Sequence, residues 1–346
     1  MVFATWASQN CQWAFANTSS NSLTIIAVGD IMMGTVYPVD ILPPDDGKGM
    51  FKPVQGEFQG GDVVLGNLEA SLYDDGKPTK CKVPLSGNCF EFVTPSRYSS
   101  HLKEAGFSVL NIANNHILDS GLEGAESTKA ALRNVGIHPA GGETIAYLDK
   151  NGRKIAVVGF SYKASTYAYS ILDIPEAEEI SARLKKSHDI VIVSFHGGAE
   201  GKHALHIPKG DEIFLKENRG NVVKFAHAVI DAGADMVIGH GPHVLRAMEV
   251  YKGKLIAYSL GNFLTYALFN LKGPNCLSVI LKARLDATTG NFLDGRLVPI
   301  RLLNGGIPEV DPTGESIRLI KDLTATDIRP RSIVIEDNGV IFPLIQ

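Results

Sequence analysis

The chain lacks the marks of a nucleic-acid or membrane-spanning protein. Lys and Arg total 33 against 37 Asp and Glu, for a formal net charge of -4 and a pI near 6.2. That balance leaves no basic stripe for a nucleic-acid footprint. No apolar run reaches the roughly 20 residues that cross a bilayer. There are four cysteines and no C-x-x-C pair, which disfavours a thiolate zinc site. No linker, charge block, internal repeat or low-complexity segment divides the chain. Its 346 residues, 45% of them hydrophobic, therefore read as a single domain over 23–346.

Residues 1–22 read as a signal or processing segment. Ala14-Phe15-Ala16 resembles a small-residue cleavage site, and a polar Asn/Ser/Thr stretch follows it. A basic start is missing and Gln9, Asn10 and Gln12 interrupt the apolar part. The expectation is export, to the periplasm or cell surface. In an oxidising compartment Cys81 and Cys89 would close the turn-rich loop between them; the alternative is two unrelated thiols. Cys276 reads as a small core residue in a strand-like run.

From Leu23 to Phe263 short apolar runs alternate with helical patterns. Helices are expected over Ser96–Ala105, Gly124–Val135, Ala177–Lys186 and Asn221–Ala232. Such alternation implies parallel strands covered by helices. After Phe263 the texture turns to antiparallel alternation, with a T-T-G-N turn.

Five of the apolar runs end in residues that bind metals or move protons. L-T-I-I-A-V-G-D ends at Asp30, and D-V-V-L-G-N-L-E at Glu69 after Asn67. S-V-L-N-I-A-N-N-H ends in Asn115 and His116, with Asp119 beyond. D-I-V-I-V-S-F-H ends at His196, and G-H-G-P-H carries His240 and His243. In open α/β sheets the ligand site lies beyond the carboxyl ends of the strands. Five such endings would therefore converge on one edge. Imidazole, carboxylate and amide oxygen together suit a polynuclear metal centre. Singly, each has a bland reading: Asp30 as a helix cap or turn residue, Asn115 as turn chemistry, His196 as structural. Glu200, in the loop after His196, is placed to bind substrate or orient a ligand. Asn262, in Y-S-L-G-N-F, is placed to orient the His240–His243 loop or touch substrate. His203 and His206 are weaker candidates for an anionic substrate.

In order and spacing, G-D-I-M-M-G, L-G-N-L-E, A-N-N-H-I-L-D-S-G, the His196 loop, I-G-H-G-P-H-V and Y-S-L-G-N-F resemble the CapA family of capsule or poly-γ-glutamate biosynthesis. That family lies in the calcineurin-like metallophosphoesterase superfamily. The resemblance covers roughly Leu23 to Tyr266. It implies a four-layer α/β/β/α sandwich with two mixed sheets. It implies two divalent metals, Mn, Fe or Zn, held by Asp30, Glu69, Asn115, His196, His240 and His243. His116 would be the acid, and Asn67, Glu200 and Asn262 would meet substrate. Two positions depart from the superfamily pattern. Met32 stands where a His is usual, and Asn67 stands where a bridging Asp falls, leaving Glu69 to substitute. The His196 motif reads H-G-G-A-E where H-W-G-x-E is common in this branch. The function implied is a metal-dependent hydrolase of a phosphoester or γ-glutamyl amide. The alternative is a non-catalytic polymer-binding or anchoring subunit. The expected partners are an anionic polymer or small molecule, and capsule-synthesis machinery at the membrane.

Overall fold

The computed structural model describes residues 21–75, 80–81 and 89–344. The expected processing segment, apart from its last two residues, lies outside the described residues, as does the stretch 82–88 between Cys81 and Cys89. Those two cysteines are joined by a disulfide. No helix among the described residues is long and apolar enough to cross a membrane.

Two mixed sheets face one another. In the first, Val63–Leu68 lies parallel beside Ser22–Met32, followed by Val109–Asn111 and His138–Ala140. On the other side of Ser22–Met32 run the antiparallel strands Leu277–Asp286, Phe292–Leu303, Val340–Pro343 and Ile333–Ile335. The second sheet has parallel strands Arg153–Ser161, Ile190–His196, Met236–His240 and Lys254–Ala257 at its centre. Antiparallel Ala146–Lys150 and Met248–Tyr251 flank them.

Period-two alternation decides which side chains meet between the sheets. Ile25, Ala27, Leu65 and Val109 of the first sheet share a core with Ile155, Val157, Ile190, Ile192, Met236 and Ile238 of the second. The intervening Ile26, Val28 and Val64 point the other way, onto helix α1 (Ser99–Ala105) and helix α2 (Gly121–Asn134). On the far side, Val191, Val193 and Val237 pack with α3 (Ile174–Lys185) and α4 (Val222–Asp231) through Ala177, Ile180, Phe225 and Val229. The result is the α/β/β/α sandwich. Asp173 and Asn221 cap α3 and α4, each side chain accepting from a backbone N–H three residues on, at 3.1 and 3.0 Å.

Two local expectations need correction. The segment Ser96–Tyr98 is a 3-10 turn leading into α1, so that helix is shorter than its pattern implied. Cys276 ends a 3-10 turn, Gly273–Cys276, just before the strand Leu277–Asp286, and is only half-buried. A fifth helix, α5 (Glu315–Asp327), was not expected. Its Ile317, Ile320 and Leu323 recur at helical spacing and reach both the inter-sheet core and the α3–α4 core. The antiparallel texture before it masked that signal.

The loop after His196 is pinned by Arg246, which is fully buried. Its guanidinium donates to both Glu212 oxygens at 2.8 and 2.7 Å, and to the carbonyls of Ala204 and Ala199 at 2.7 and 3.1 Å. Removing one partner of a buried ion pair leaves an uncompensated charge, which costs about 3–5 kcal/mol. Arg246→Ala is therefore expected to lower unfolding stability by about that amount in urea titration. A loss below about 1 kcal/mol would show that the loop does not depend on this pair.

Candidate metal centre

The site forms where two rows of residues face each other across the sandwich. On the first sheet, Asp30 is level with Asn67 and with Asn262, and Asn67 is level with Asn111. On the second, His196 is level with His240 and with Ser161. His196 and His240 continue the inward-facing series that runs through Ile190 and Ile192, and through Met236 and Ile238.

Asp30 breaks its own strand's alternation. Ile25 and Ala27 face the core, so position 30 would face outward in a regular strand. The pairing with Val63–Leu68 shifts by one residue between Ala27 and Asp30, and this bulge turns the carboxylate inward. Gly29 makes the bulge possible. A Cβ there would lie 1.9 Å from the Gly261 carbonyl, where the backbone of Asp30 bonds at 2.9 Å.

Asp30, Glu69, His196, His240 and Asn67 are all essentially inaccessible. One oxygen of Asp30, one of Glu69 and one ring nitrogen of His196 lie within 4.8 Å of one another. Glu69 Oε1 is 3.7 Å from His243 Nε2, 3.8 Å from His116 Nε2 and 3.9 Å from His196 Nε2. Asp30 Oδ2 lies 3.0 Å from His243 Nδ1, and its Oδ1 lies 3.6 Å from His240 Nδ1. Asn115 and His116 line the same opening as His243.

Neighbouring amides set the orientation of these groups. Asn114 accepts from the His116 backbone and donates to the Leu68 carbonyl, which fixes its own amide. It and Asn111 then donate to Asn67 Oδ1 at 3.1 and 2.8 Å. Asn67 Nδ2 is thereby aimed at Asp30 (2.8 Å) and at His196 Nδ1 (3.3 Å). The expected substrate contact at Asn67 is thus placed behind the acidic pair, with its polar atoms spent inside the protein. Asn262 donates to the carbonyls of His243 and Asn275, so its Oδ1 accepts from His243 Nδ1 at 3.1 Å. The Nε2 atom of His243 is left facing Glu69. His243 holds a left-handed backbone, φ 57°, which is costly for a residue with a Cβ.

His116 Nδ1 donates to Asp119 Oδ2 at 2.7 Å. Lys80 Nζ bonds the other Asp119 oxygen at 3.0 Å and the Asn115 carbonyl at 3.1 Å. Glu200 lies on the cavity wall, paired with Arg219 at 2.7 Å. Reasoning from sequence missed Asn111, Asn114, Lys80, Arg219 and Asn275 as parts of the site. Only the doubled Asn in A-N-N-H hinted at any of them. His203 is exposed, and His206 pairs with Asp327 at the end of α5.

Charge is poorly balanced here without a cation. Burial pushes Glu69 well above the ordinary carboxylate range. Burial also raises Asp30, but the His243 hydrogen bond and the surrounding imidazoles outweigh it and hold the carboxyl at about 2. Burial opposes protonation of His243, yet Glu69 and Asp30 carry it up to about 10. Burial lowers His196 well below its ordinary value and His240 to about 4.

The donor set fits a divalent metal. Both Glu69 oxygens, His196 Nε2, both ring nitrogens of His240 and Asn115 Oδ1 are buried without a hydrogen-bond partner. Orphaned buried groups cost about 1–3 kcal/mol each, and buried charges more. Neutral imidazole, carboxylate and amide oxygen are ligands for Mn, Fe or Zn. The amide at Asn67 is the distinctive element. Asn67→Asp would set a third buried carboxylate against Asp30. In chelator this variant is expected to lose about 1–3 kcal/mol of stability. Mn²⁺ is expected to restore more of it than in wild type. Equal stability of the two proteins in chelator would contradict the role assigned to the amide.

Residues 24–267 match the family model described as bacterial capsule synthesis protein PGA_cap. The chain is 29% identical over 283 residues to the capsule biosynthesis protein CapA of Bacillus anthracis, covering 76% of this chain and 65% of that protein. It is 32% identical over 265 residues to the PGA biosynthesis protein CapA of Bacillus subtilis, covering 71% and 64%. The matches thus span just under two thirds of those relatives. A solved structure of a candidate 5′-nucleotidase from Staphylococcus aureus superposes with a TM-score of 0.45 at 13% identity, covering 88% of this chain and 58% of that one. With most of its described length inside the family model, the chain belongs to the bacterial capsule synthesis protein family PGA_cap.

Proposed function

We propose that this protein is a metal-dependent hydrolase of capsule or poly-γ-glutamate biosynthesis, acting on a phosphoester or a γ-glutamyl amide. The observation that carries this is the set of unpartnered buried ligand atoms beside an open cavity of about 800 Å³ that Asn115, His116 and His243 line. Asp30, Glu69, Asn115, His196, His240 and His243 would hold the cation or cations. A divalent metal so held would polarise a phosphoryl or acyl oxygen and supply hydroxide at neutral pH.

The chain's own residues would do the rest. His116 presents Nε2 to the site because Nδ1 is committed to Asp119. Burial lowers its proton affinity and Asp119 raises it, leaving the ring below its ordinary value. An anionic substrate opposite Nε2 would raise that affinity again. His116 can then carry a proton at Nε2 to the departing oxygen or nitrogen, a step worth roughly 10²–10⁴-fold. Lys80 ties the Asn115 carbonyl to Asp119, so it holds the ligand loop and the acid in register.

Met32 and Asn67, which remove two ligands of the superfamily pattern, favour a second reading. In it the protein is a non-catalytic subunit that binds carboxylates of the polymer through its metal. Export to the envelope, and work beside membrane-bound capsule machinery, belong to either reading. The Cys81–Cys89 disulfide supports export, since such bonds persist in oxidising compartments.

Two variants separate these readings. His116→Ala is expected to keep nearly full metal content while hydrolysis of a phosphodiester or γ-glutamyl peptide falls about 10²-fold or more. His240→Ala is expected to lose metal, because a ligand nitrogen is removed. Metal analysis beside rate measurement shows the split. Full metal in wild type with no turnover of either substrate class supports the binding subunit, and full metal in His240→Ala would contradict the ligand assignment.

A further inference from the structure

The cavity above the metal centre is larger than a phosphate or carboxylate requires, and one of its walls is built of rings. Phe92 lies against His116 with ring centroids 4.5 Å apart. Phe269 is 5.3 Å from Phe92 and meets His243 edge-on at 5.0 Å. Phe90 stacks beside Phe92 at 6.4 Å and 23°, and it is 42% exposed. The three phenyl rings thus run from the two site histidines outward to solvent.

The cations around this cavity argue against a purely ionic ligand. Of the four that line it among the described residues, three are already paired. Lys80 bonds Asp119, Arg219 bonds Glu200 and Glu217, and Lys163 lies 3.7 Å from Glu217. Arg219 also stacks over the Tyr162 ring at 3.9 Å. An extended polycarboxylate would meet neutralised pairs and apolar rings here, not a row of unpaired cations.

We propose that the Phe90–Phe92–Phe269 wall is a subsite for a planar ring on the leaving-group side of a phosphoester. The inference rests on the reading that an anionic group binds at the Glu69–histidine cluster. A phosphoryl group seated there would direct its ester substituent along the open wall, where offset or edge-on ring contacts are favourable. Phe90 would set specificity at the outer end, and Phe269 nearer the metal.

The test is calorimetric and needs no turnover. Full-length protein loaded with Mn²⁺ is titrated with phenylphosphonate and with methylphosphonate, which share the anion and differ in the ring. Wild type is expected to bind phenylphosphonate about 10-fold or more tightly than methylphosphonate. Phe90→Ala, at a position that is 42% exposed, is expected to cut that preference to about threefold or less while methylphosphonate affinity holds. Equal affinity of wild type for the two ligands would overturn the subsite and leave the anion site standing, as would a preference surviving in both Phe90→Ala and Phe269→Ala. Binding of neither phosphonate would overturn the anion site, and the subsite with it.

Discussion

The burial of two carboxylates, Asp30 and Glu69, among four imidazoles is the constraint on which the rest of the molecule turns. Neither acid is accessible, and Glu69 has no hydrogen-bond partner for either oxygen. Isolated buried carboxylates are untenable unless they are paired, protonated or bound to a cation. The candidate ligands come from both sheets, so the charge problem can be solved only once the sandwich has closed. Asp30 is on the first sheet and Glu69 follows directly on its strand Val63–Leu68, while His196, His240 and His243 belong to the second sheet and its loops. A cation would therefore bind the folded chain in preference to the unfolded one, and metal affinity would appear directly as stability.

The amide row Asn111–Asn67–Asn262 is the structure's answer to crowding on the first sheet. An aspartate at position 67 would be the third carboxylate in one small volume. The amide instead donates to Asp30 and passes its oxygen to Asn111 and Asn114. This lowers the negative charge available to hold metal while keeping the geometry of the strand ends. It also explains why Glu69, one step beyond the strand, is the group left facing His116, His196 and His243.

Much of this was legible in the chain. Apolar runs ending in Asp, Glu, Asn and His marked the strand ends, and the parallel texture said that those ends would share one edge. His196 and His240 lie level on neighbouring strands, as their common place after buried runs implied. Other parts could not be read. Strict alternation would have turned Asp30 outward; only the bulge at Gly29, visible in the pairing, brings it in. Asn111 and Asn114 carry no local signal because their role depends on reaching a neighbouring strand. Lys80 stands 36 residues before His116 and meets it beside the Cys81–Cys89 disulfide, with no local sequence signal. Helix α5 followed antiparallel strands, and its helical spacing was lost against that background.

The most direct test of the central claim is anomalous diffraction from crystals of the protein grown without chelator and soaked in Mn²⁺. The account predicts a strong anomalous peak in contact with Glu69, His196 and at least one of Asp30, His240 and His243. An ordered site with the same side-chain positions and no peak, or a peak bound only elsewhere on the molecule, would contradict it.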